Sequence, residues 1–399
     1  MPAPFAERDT ISLVDHKKNQ NLSKILKHLY LKNSSSIAQL SKHINASVPS
    51  TTTFVNELLE NGIIKELGAS KTKSGRRPVF FAINGASRRI LVISINIFEV
   101  TFFITDLDNT IIEKDVFEIN IKDTGYKDFI ESKVAEILRL NSDIWAAGIS
   151  APGLVDKNTG INYTHSTLNF DAKTSLSCYL REKTKIPFFT INDTQASIIG
   201  EHHYGLAKGK RNVVSINLDW GIGMGIMVNG KILGGNDGFA GELGHMQIDP
   251  NGTLCTCGKI GCLDTVASAS TVVRRAKEGI AKGRLSTLTT LKNDIDLQSV
   301  VQAANKGDEF SIDILYDLGR ELGKGLSVAV HLLNPEAVII DGILTSAGDL
   351  IVSTLKQSIN KYCLTEFKKD LKILVSPLKD MAKIYGVKSH VYLKMITIN

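Results

Sequence analysis

The apolar residues of this chain change their spacing near residue 89, and that break limits the folds open to it. Before the break they recur at helical intervals. In NLSKILKHLYLKN, Leu22, Ile25, Leu26 and Leu29 fall at i, i+3, i+4 and i+7 and form one apolar face. SSSIAQLSKHIN offers Ser35 or Ser36 as an N-cap, with Ile37, Leu40 and Ile44 inward. After the turn NASVPS, STTTFVNELLENG places Phe54, Val55, Leu58 and Leu59 inward and stops at Gly62. IIKELG then reads as a strand, KTKSGRRP as a basic hairpin tip and VFFAI as the returning strand. Beyond the break, short apolar strands alternate with helices. ILVISINIFEVTFFITDLDN gives two strands about a turn at Ile97–Glu99, and TIIEKDVFEINI a third. DFIESKVAEILRL is helical, IWAAGISAPGLVD and IPFFTIN are strands, and VVSINLDWGIGMGIMVNGKIL is a hairpin. The helix SIDILYDLGRELGKGLSVAVHLL feeds the strand EAVIID. Such alternation predicts an α/β body in two halves.

Charge divides at the same place. The first eighty residues hold 12 Lys or Arg against 6 Asp or Glu, while the remainder balances at 35 of each, so the whole +6 excess lies in the first fifth. Two helices joined by a tight turn and followed by a basic β-wing form a winged helix-turn-helix, over residues 1–82. Its second helix is sized for a major groove. Ser50, Thr51, Thr52 and Asn56 are expected on the face opposite the apolar stripe, suited to base edges or phosphates, and Lys71, Lys73, Arg76 and Arg77 suit phosphates. A small helical bundle with a solvated basic loop is the alternative that the charge asymmetry disfavours. The partner expected is a double-stranded DNA operator.

No apolar run approaches the ~20 residues of a membrane span, and the N-terminus lacks the apolar core of a secretion signal, so a cytoplasmic location is expected. In that reducing compartment, thiols that cluster suggest metal or chemistry sooner than disulfides. Three of the five cysteines, Cys255, Cys257 and Cys262, fall within GELGHMQIDPNGTLCTCGKIGCLDT, with His245 ten residues upstream of the first. Three thiolates and one imidazole fill a tetrahedral Zn²⁺ shell and leave no position for water, so one structural zinc per chain is expected. Redox thiols are the alternative. Cys178 and Cys363 stand alone and read as inert.

The ordered motifs NDTQAS, GIGMGI, GELGHMQIDP, CTCGKIGCLDT and NPEAVIIDG resemble the ROK family, which comprises sugar kinases and repressors of sugar genes that carry an N-terminal winged helix. The resemblance covers essentially the whole chain. It implies an actin-like fold of two lobes, 88–195, completed by a C-terminal helix near 380–396, and 196–379, with a sugar in the cleft between them. It further implies that Glu242, His245 and Asp264 grip sugar hydroxyls, Asp264 standing where the family usually has Glu. Asn192 and Asp193 match the family's Asn-Asp pair, which binds sugar and supplies the catalytic base; residue type alone would read them as a helix cap. Ser166–Phe170 replaces the family's Asn-Leu-x-Gly-Trp stretch.

The ATP-binding motifs depart from the family pattern. Ser94-Ile95-Asn96-Ile97-Phe98-Glu99 stands where ROK kinases have a loop like Asp-x-Gly-Gly-Thr-Lys. Asp219-Trp220 opens what is usually a glycine-rich second phosphate loop, and Asp341 replaces the first glycine of the adenosine motif. An acid at a phosphate position repels the triphosphate, and a side chain there blocks backbone approach. These residues predict no catalytic role, Asp193 included. They predict a DNA-binding transcriptional regulator of carbohydrate metabolism, a repressor, bacterial and nucleoid-associated when bound. Its effector is a sugar or phosphosugar, and it acts as a homodimer or dimer of dimers to match paired half-sites. An active ATP-dependent sugar kinase with an appended DNA-binding domain is the alternative.

Overall fold

A computed structural model describes residues 13–69, 78–291 and 294–397. The helix α1 (Leu13–Lys32) leads through a two-residue strand β1 (Ser35–Ser36) into α2 (Ile37–Ile44) and α3 (Val48–Glu60), followed by β2 (Ile64–Ala69) and β3 (Val79–Ile83). The strands form a sheet in the order β1-β3-β2. Local chemistry sets these boundaries. Ser36 caps α2 in a reciprocal box with Gln39, Asn45 ends it in the left-handed region, and Ser47 caps α3 with proline in its first turn. Leu22, Ile25, Leu26, Leu29, Leu40, Ile44, Val55 and Leu58 close the core.

One expected DNA contact is corrected here. Thr51 is fully buried, and its hydroxyl donates to the Ser47 carbonyl at 2.9 Å. It precedes Val55 by four residues and Leu58 by seven, so helical phase puts it on the apolar face. Ser50 and Asn56 are exposed and Thr52 is half-buried. Lys71, Lys73, Arg76 and Arg77 lie outside the described residues.

The chain forms two compact units. One takes in the chain up to Ala151, His165–Thr190 and the chain from Val387 on; the other is Pro152–Thr164 with Ile191–Gly386. These limits differ from the lobes read by sequence. The segment 152–164 joins the second unit, and the winged helix-turn-helix belongs to the same unit as the first sheet. In that unit the Tyr30 hydroxyl of α1 meets Ser389 Oγ at 2.8 Å, and the Tyr30 ring stacks on Tyr392. The first sheet runs in the order β6-β5-β4-β7-β8, from β4 (Arg89–Ile95), β5 (Glu99–Asp106), β6 (Ile111–Glu118), β7 (Ile144–Ala151) and β8 (Phe188–Asn192). β4 is antiparallel to β5 and parallel to β7. Helices α4 (Tyr126–Leu140) and α5 (Leu176–Thr184) connect its strands.

The second unit repeats the plan. α6 (Asp193–Tyr204) precedes β9 (Val213–Leu218), β10 (Ile222–Val228) and β11 (Lys231–Ile232). Helices α7 (Asp264–Ala267), α8 (Ala269–Ala281), α9 (Leu297–Asn305) and α10 (Glu309–Leu333) follow. Then come β12 (Ala337–Asp341), α11 (Asp349–Tyr362), α12 (Thr365–Lys368), β13 (Lys372–Val375) and α13 (Asp380–Ile396), which crosses into the first unit. The sheet order is β11-β10-β9-β12-β13, with β9 parallel to β12 and β12 parallel to β13. Leu315, Leu318, Leu322 and Leu326 of α10 are buried with Val214, Ile216 and Leu218 of β9 and Leu355 of α11. Each fully buried side chain of this kind contributes ~1.5–3 kcal/mol. The two sheets share one strand plan, three antiparallel strands extended on the parallel side, by β7 in the first and β12 in the second. That is the duplicated α/β architecture of the actin-like fold.

Candidate functional site: a carboxylate cluster beside a Cys₃His loop

Asn192 ends β8 and caps α6. Its Oδ1 accepts the N–H groups of Thr194 and Gln195 at 3.0 and 3.1 Å, and its amide donates to the Gly153 carbonyl at 2.9 Å and to Asp193 Oδ1 at 3.0 Å. Asn192 is thus a cap that also pins the 152–164 loop and orients Asp193. Burial pushes the Asp193 carboxyl up, opposed by the charge of Lys383. The glycines of GIGMGI serve this helix. A Cβ at Gly223 would lie 2.3 Å from Thr194 Cγ2, and one at Gly225 would lie 2.6 Å from the Thr194 carbonyl oxygen. They let α6 close on β10.

GELGH lies flat against the same strand. A Cβ at Gly241, where φ is +111°, would meet the Met224 carbonyl at 2.0 Å, and one at Gly244 would meet Asp264 Oδ1 at 2.4 Å. Glu242 Oε2 stands 3.8 Å from His245 Nε2, and Asp264 Oδ2 stands 3.9 Å from His245 Nδ1. Lost hydration raises the Glu242 carboxyl; protonated His245 would lower it, and Asp193 and Asp264 raise it further. The structure therefore brings Asp193, Glu242, His245 and Asp264 together within the second unit. Asp264 has one oxygen committed: its Oδ1 accepts the Ile222 N–H at 2.7 Å.

The thiols converge on the imidazole at Nδ1, the nitrogen that Asp264 also approaches. His245, Cys255, Cys257 and Cys262 hold their ligand atoms within 4.8 Å of one another. Cys257 Sγ is 3.6 Å from Cys262 Sγ, and Cys255 Sγ is 3.7 Å from His245 Nδ1. With Zn–S bonds of about 2.3 Å and Zn–N of about 2.1 Å, the edges of a tetrahedron come to roughly 3.5–3.8 Å, so the donor set fits. Burial, then the neighbouring thiols, push Cys262 up to about 12, which a dication at the centre would reverse. The loop closes through bridges that pair Gln247 with Cys262 and Leu254 with Ile260.

The positions of the ATP motifs are filled from within. Asp219 Oδ1 accepts the Trp220 N–H at 2.8 Å, and Asp341 Oδ1 accepts the Gly342 N–H at 2.8 Å. Burial pushes Asp341 up to about 6, and it also raises Asp219. Lys383, only 4% exposed, opposes the rise at Asp193, Asp219 and Asp341 alike. In the first unit, Asn96 N–H donates to the Glu99 carbonyl and Glu99 Oε1 accepts from Thr101, closing a tight turn. Sequence reading missed Lys383, since a lone lysine in a helix carries no signal of burial. It also missed Gln195, whose amide donates to the Gly238 carbonyl at 2.7 Å.

Fold and site together define a DNA-binding transcriptional regulator built on a sugar-kinase frame. The model of the winged helix-turn-helix DNA-binding family matches residues 18–65, and that of the ROK family matches residues 93–391. The chain belongs to the ROK family. It is 28% identical to the xylose repressor of Bacillus subtilis over 96% of this chain and 97% of that protein. It is 31% identical to the glucokinase of Thermotoga maritima over 71% of this chain and 90% of that protein. A crystal structure of a ROK family transcriptional regulator, a homolog of the E. coli MLC protein, superposes with a TM-score of 0.83 at 28% identity, covering 96% of this chain and 98% of that one. No helix among the described residues is long and apolar enough to cross a membrane.

Proposed function

We propose that this protein represses genes of sugar utilisation, that a sugar held by Asp193, Glu242, His245 and Asp264 controls it, and that it has lost phosphoryl transfer. Carboxylates suit a polyol because each can accept two hydroxyl protons, and the imidazole adds a single N–H donor to a hydroxyl oxygen. The observation that carries the loss of ATP is the pair Asp219–Trp220 N–H and Asp341–Gly342 N–H. The Trp220 N–H of the second phosphate loop and the Gly342 N–H of the adenosine motif are taken by the chain's own anions, and those anions repel a triphosphate. Asp193 then serves as a sugar ligand. The resemblance to the xylose repressor favours a neutral aldose as effector.

His245, Cys255, Cys257 and Cys262 would hold one structural Zn²⁺. The ion supplies a cross-link that fixes the 245–262 loop, and with it the tautomer and direction of His245. The α3 residues Ser50, Thr52 and Asn56, with Lys71, Lys73, Arg76 and Arg77 of the wing, would contact the operator, and two-fold half-sites call for a homodimer. The test is a thermal-shift screen with sugars and sugar phosphates, each with and without MgATP. A sugar at 100 times its dissociation constant adds ~2.7 kcal/mol of stability. The expected result is a shift with one sugar class, none with ATP and no ADP formed. Sugar-dependent ADP formation at ~1–100 per second would establish the kinase instead.

A further inference from the structure

Two aromatic side chains lie on segments tethered to the helix turn that carries Asp193. Tyr163 is 62% exposed, and its ring meets that of half-buried Phe239 edge to face, with centroids 5.7 Å apart. Both rings ride on segments pinned to the first turn of α6. Asn192 holds the Gly153 carbonyl, and Tyr163 lies across the loop from there, its N–H donating to the Leu154 carbonyl at 2.8 Å. Gln195, three residues on, holds the carbonyl of Gly238, the residue before Phe239. The two segments are also tied to each other: Lys157 N–H donates to the Asp237 carbonyl at 2.9 Å, and Lys157 Nζ to the Gly235 carbonyl at 2.8 Å. Glu242 follows Phe239 by three residues. The aromatic pair, Asp193 and Glu242 are thus positioned by one turn of helix and the segments it holds.

An exposed tyrosine forgoes the hydrophobic gain of burial, and a flexible loop would let it fold away. Here hydrogen bonds hold both loops and keep the ring out. A sugar ring has hydroxyls around its edge and one or both faces lined by C–H groups. Carboxylates recognise the edge, and an aromatic surface that excludes water suits the face. We infer that Tyr163 and Phe239 form an apolar subsite that takes the C–H face of a cyclic sugar and makes the effector site selective for closed rings over open-chain polyols. This rests on the sugar reading above and adds to it the specificity determinant.

The test compares ring and open-chain forms with the same carbon count, D-xylose against xylitol and D-glucose against sorbitol, by calorimetric titration of the full-length protein. The unmodified protein should bind the better aldose at least tenfold more tightly than its alditol. Tyr163→Ala should weaken the aldose by about tenfold and leave the alditol unchanged, collapsing the preference, whereas Tyr163→Phe should retain it. Phe239→Leu, which keeps bulk in the loop, should lower the preference partway. Zinc content and operator binding, unchanged in all three, report that the loops still fold. If Asp193→Ala weakens the aldose while Tyr163→Ala does not, the subsite is wrong and the sugar reading stands. If the unmodified protein binds none of these sugars and no other in the screen, the sugar reading falls and the subsite with it.

Discussion

Gly261 tests whether the thiol loop is a metal cage, because the structure assigns it a cost that its neighbour Gly258 lacks. Both have positive φ, +72° and +85°. A Cβ at Gly261 would lie 1.5 Å from the Asp249 carbonyl oxygen, while one at Gly258 would meet nothing within 4 Å. Gly261→Ala must therefore push the 248–253 segment away. Doing so strains the three backbone bonds Gly261 N–H to Thr253 O, Ile248 N–H to Gly261 O and Asp249 N–H to Gly261 O, at 2.9, 2.8 and 3.1 Å. At ~0.5–1.5 kcal/mol each, their loss costs about 1.5–4.5 kcal/mol. The left-handed backbone adds roughly 1 kcal/mol. A total near 3–5 kcal/mol corresponds to a fall of about two to four decades in metal affinity. Gly258→Ala carries only the backbone term, a fall of about tenfold or less. The assay is competition for Zn²⁺ against a chromophoric chelator, with metal content measured on the purified variants. Unmodified affinity in Gly261→Ala, or equal losses in both variants, would refute the cage.

Cys257→Ser should lose zinc and sugar together, because His245 loses its fixed orientation. Glu242→Ala and Asp193→Ala should weaken sugar by about five- to hundredfold, at ~1–3 kcal/mol for an unpaired polar group, with zinc and DNA binding intact; calorimetry with parallel metal analysis decides. Neutralising Arg76 and Arg77 should flatten the slope of log affinity against log salt by about one per lost phosphate contact, while Thr51→Val, at a buried position, should leave operator affinity unchanged in fluorescence anisotropy. Burial lowers the Lys388 ammonium from 10.5 to about 7. Between those values the unfolded chain holds a proton that the folded chain lacks, so this group makes stability rise with pH, by up to ~1.4 kcal/mol per unit. Below about 7 both states are protonated and the burial penalty is constant. Lys388→Met should therefore stabilise most near pH 7 and progressively less toward pH 9 in urea titrations, and a pH-independent difference would contradict the assignment.

Much of this was legible because the signals are local. The Cys₃His set spans eighteen positions, and its spacing alone announces it. The strands β4 and β5, their turn and the long helix α10 follow from runs of branched apolar residues and a clean 3.6-residue period. Helices α8 and α9 left weaker signals, because half of their buried residues are alanine: Ala269, Ala276, Ala303 and Ala304. α11 hides for a related reason. It presents Thr354 and Ser358 to α10, where Gly319 and Gly323 allow close approach, and these polar positions dilute the stripe of Ile351, Leu355 and Ile359. Thr51 was misplaced by judging residue type over helical phase. Lys383, Gln195 and the Tyr163–Phe239 pair depend on contacts between segments far apart in sequence, and no local pattern encodes them.

Lys383 also bears on why kinase chemistry would be hard to restore. Asp341 is a buried carboxylate and Asp219 a half-buried one, both raised by lost hydration, and the ammonium that opposes that rise is itself 4% exposed. Returning glycine at Asn96 and Ile97 leaves this cluster untouched, so ATP should still be excluded. Replacing Asp219 and Asp341 by glycine frees the Trp220 N–H for phosphate and the Gly342 N–H for the nucleoside but leaves Lys383 only Asp193 of the three acids it opposes. Removing the charge that compensates a buried ammonium costs up to about 3–5 kcal/mol. That is a large part of the ~5–15 kcal/mol that holds a typical domain together. Such a double variant should therefore melt well below the unmodified protein, and Lys383→Met in the same background should recover most of the loss. If the double variant is as stable as the unmodified chain, Lys383 is not the counter-ion of these acids, and the exclusion of ATP rests on the loop side chains alone.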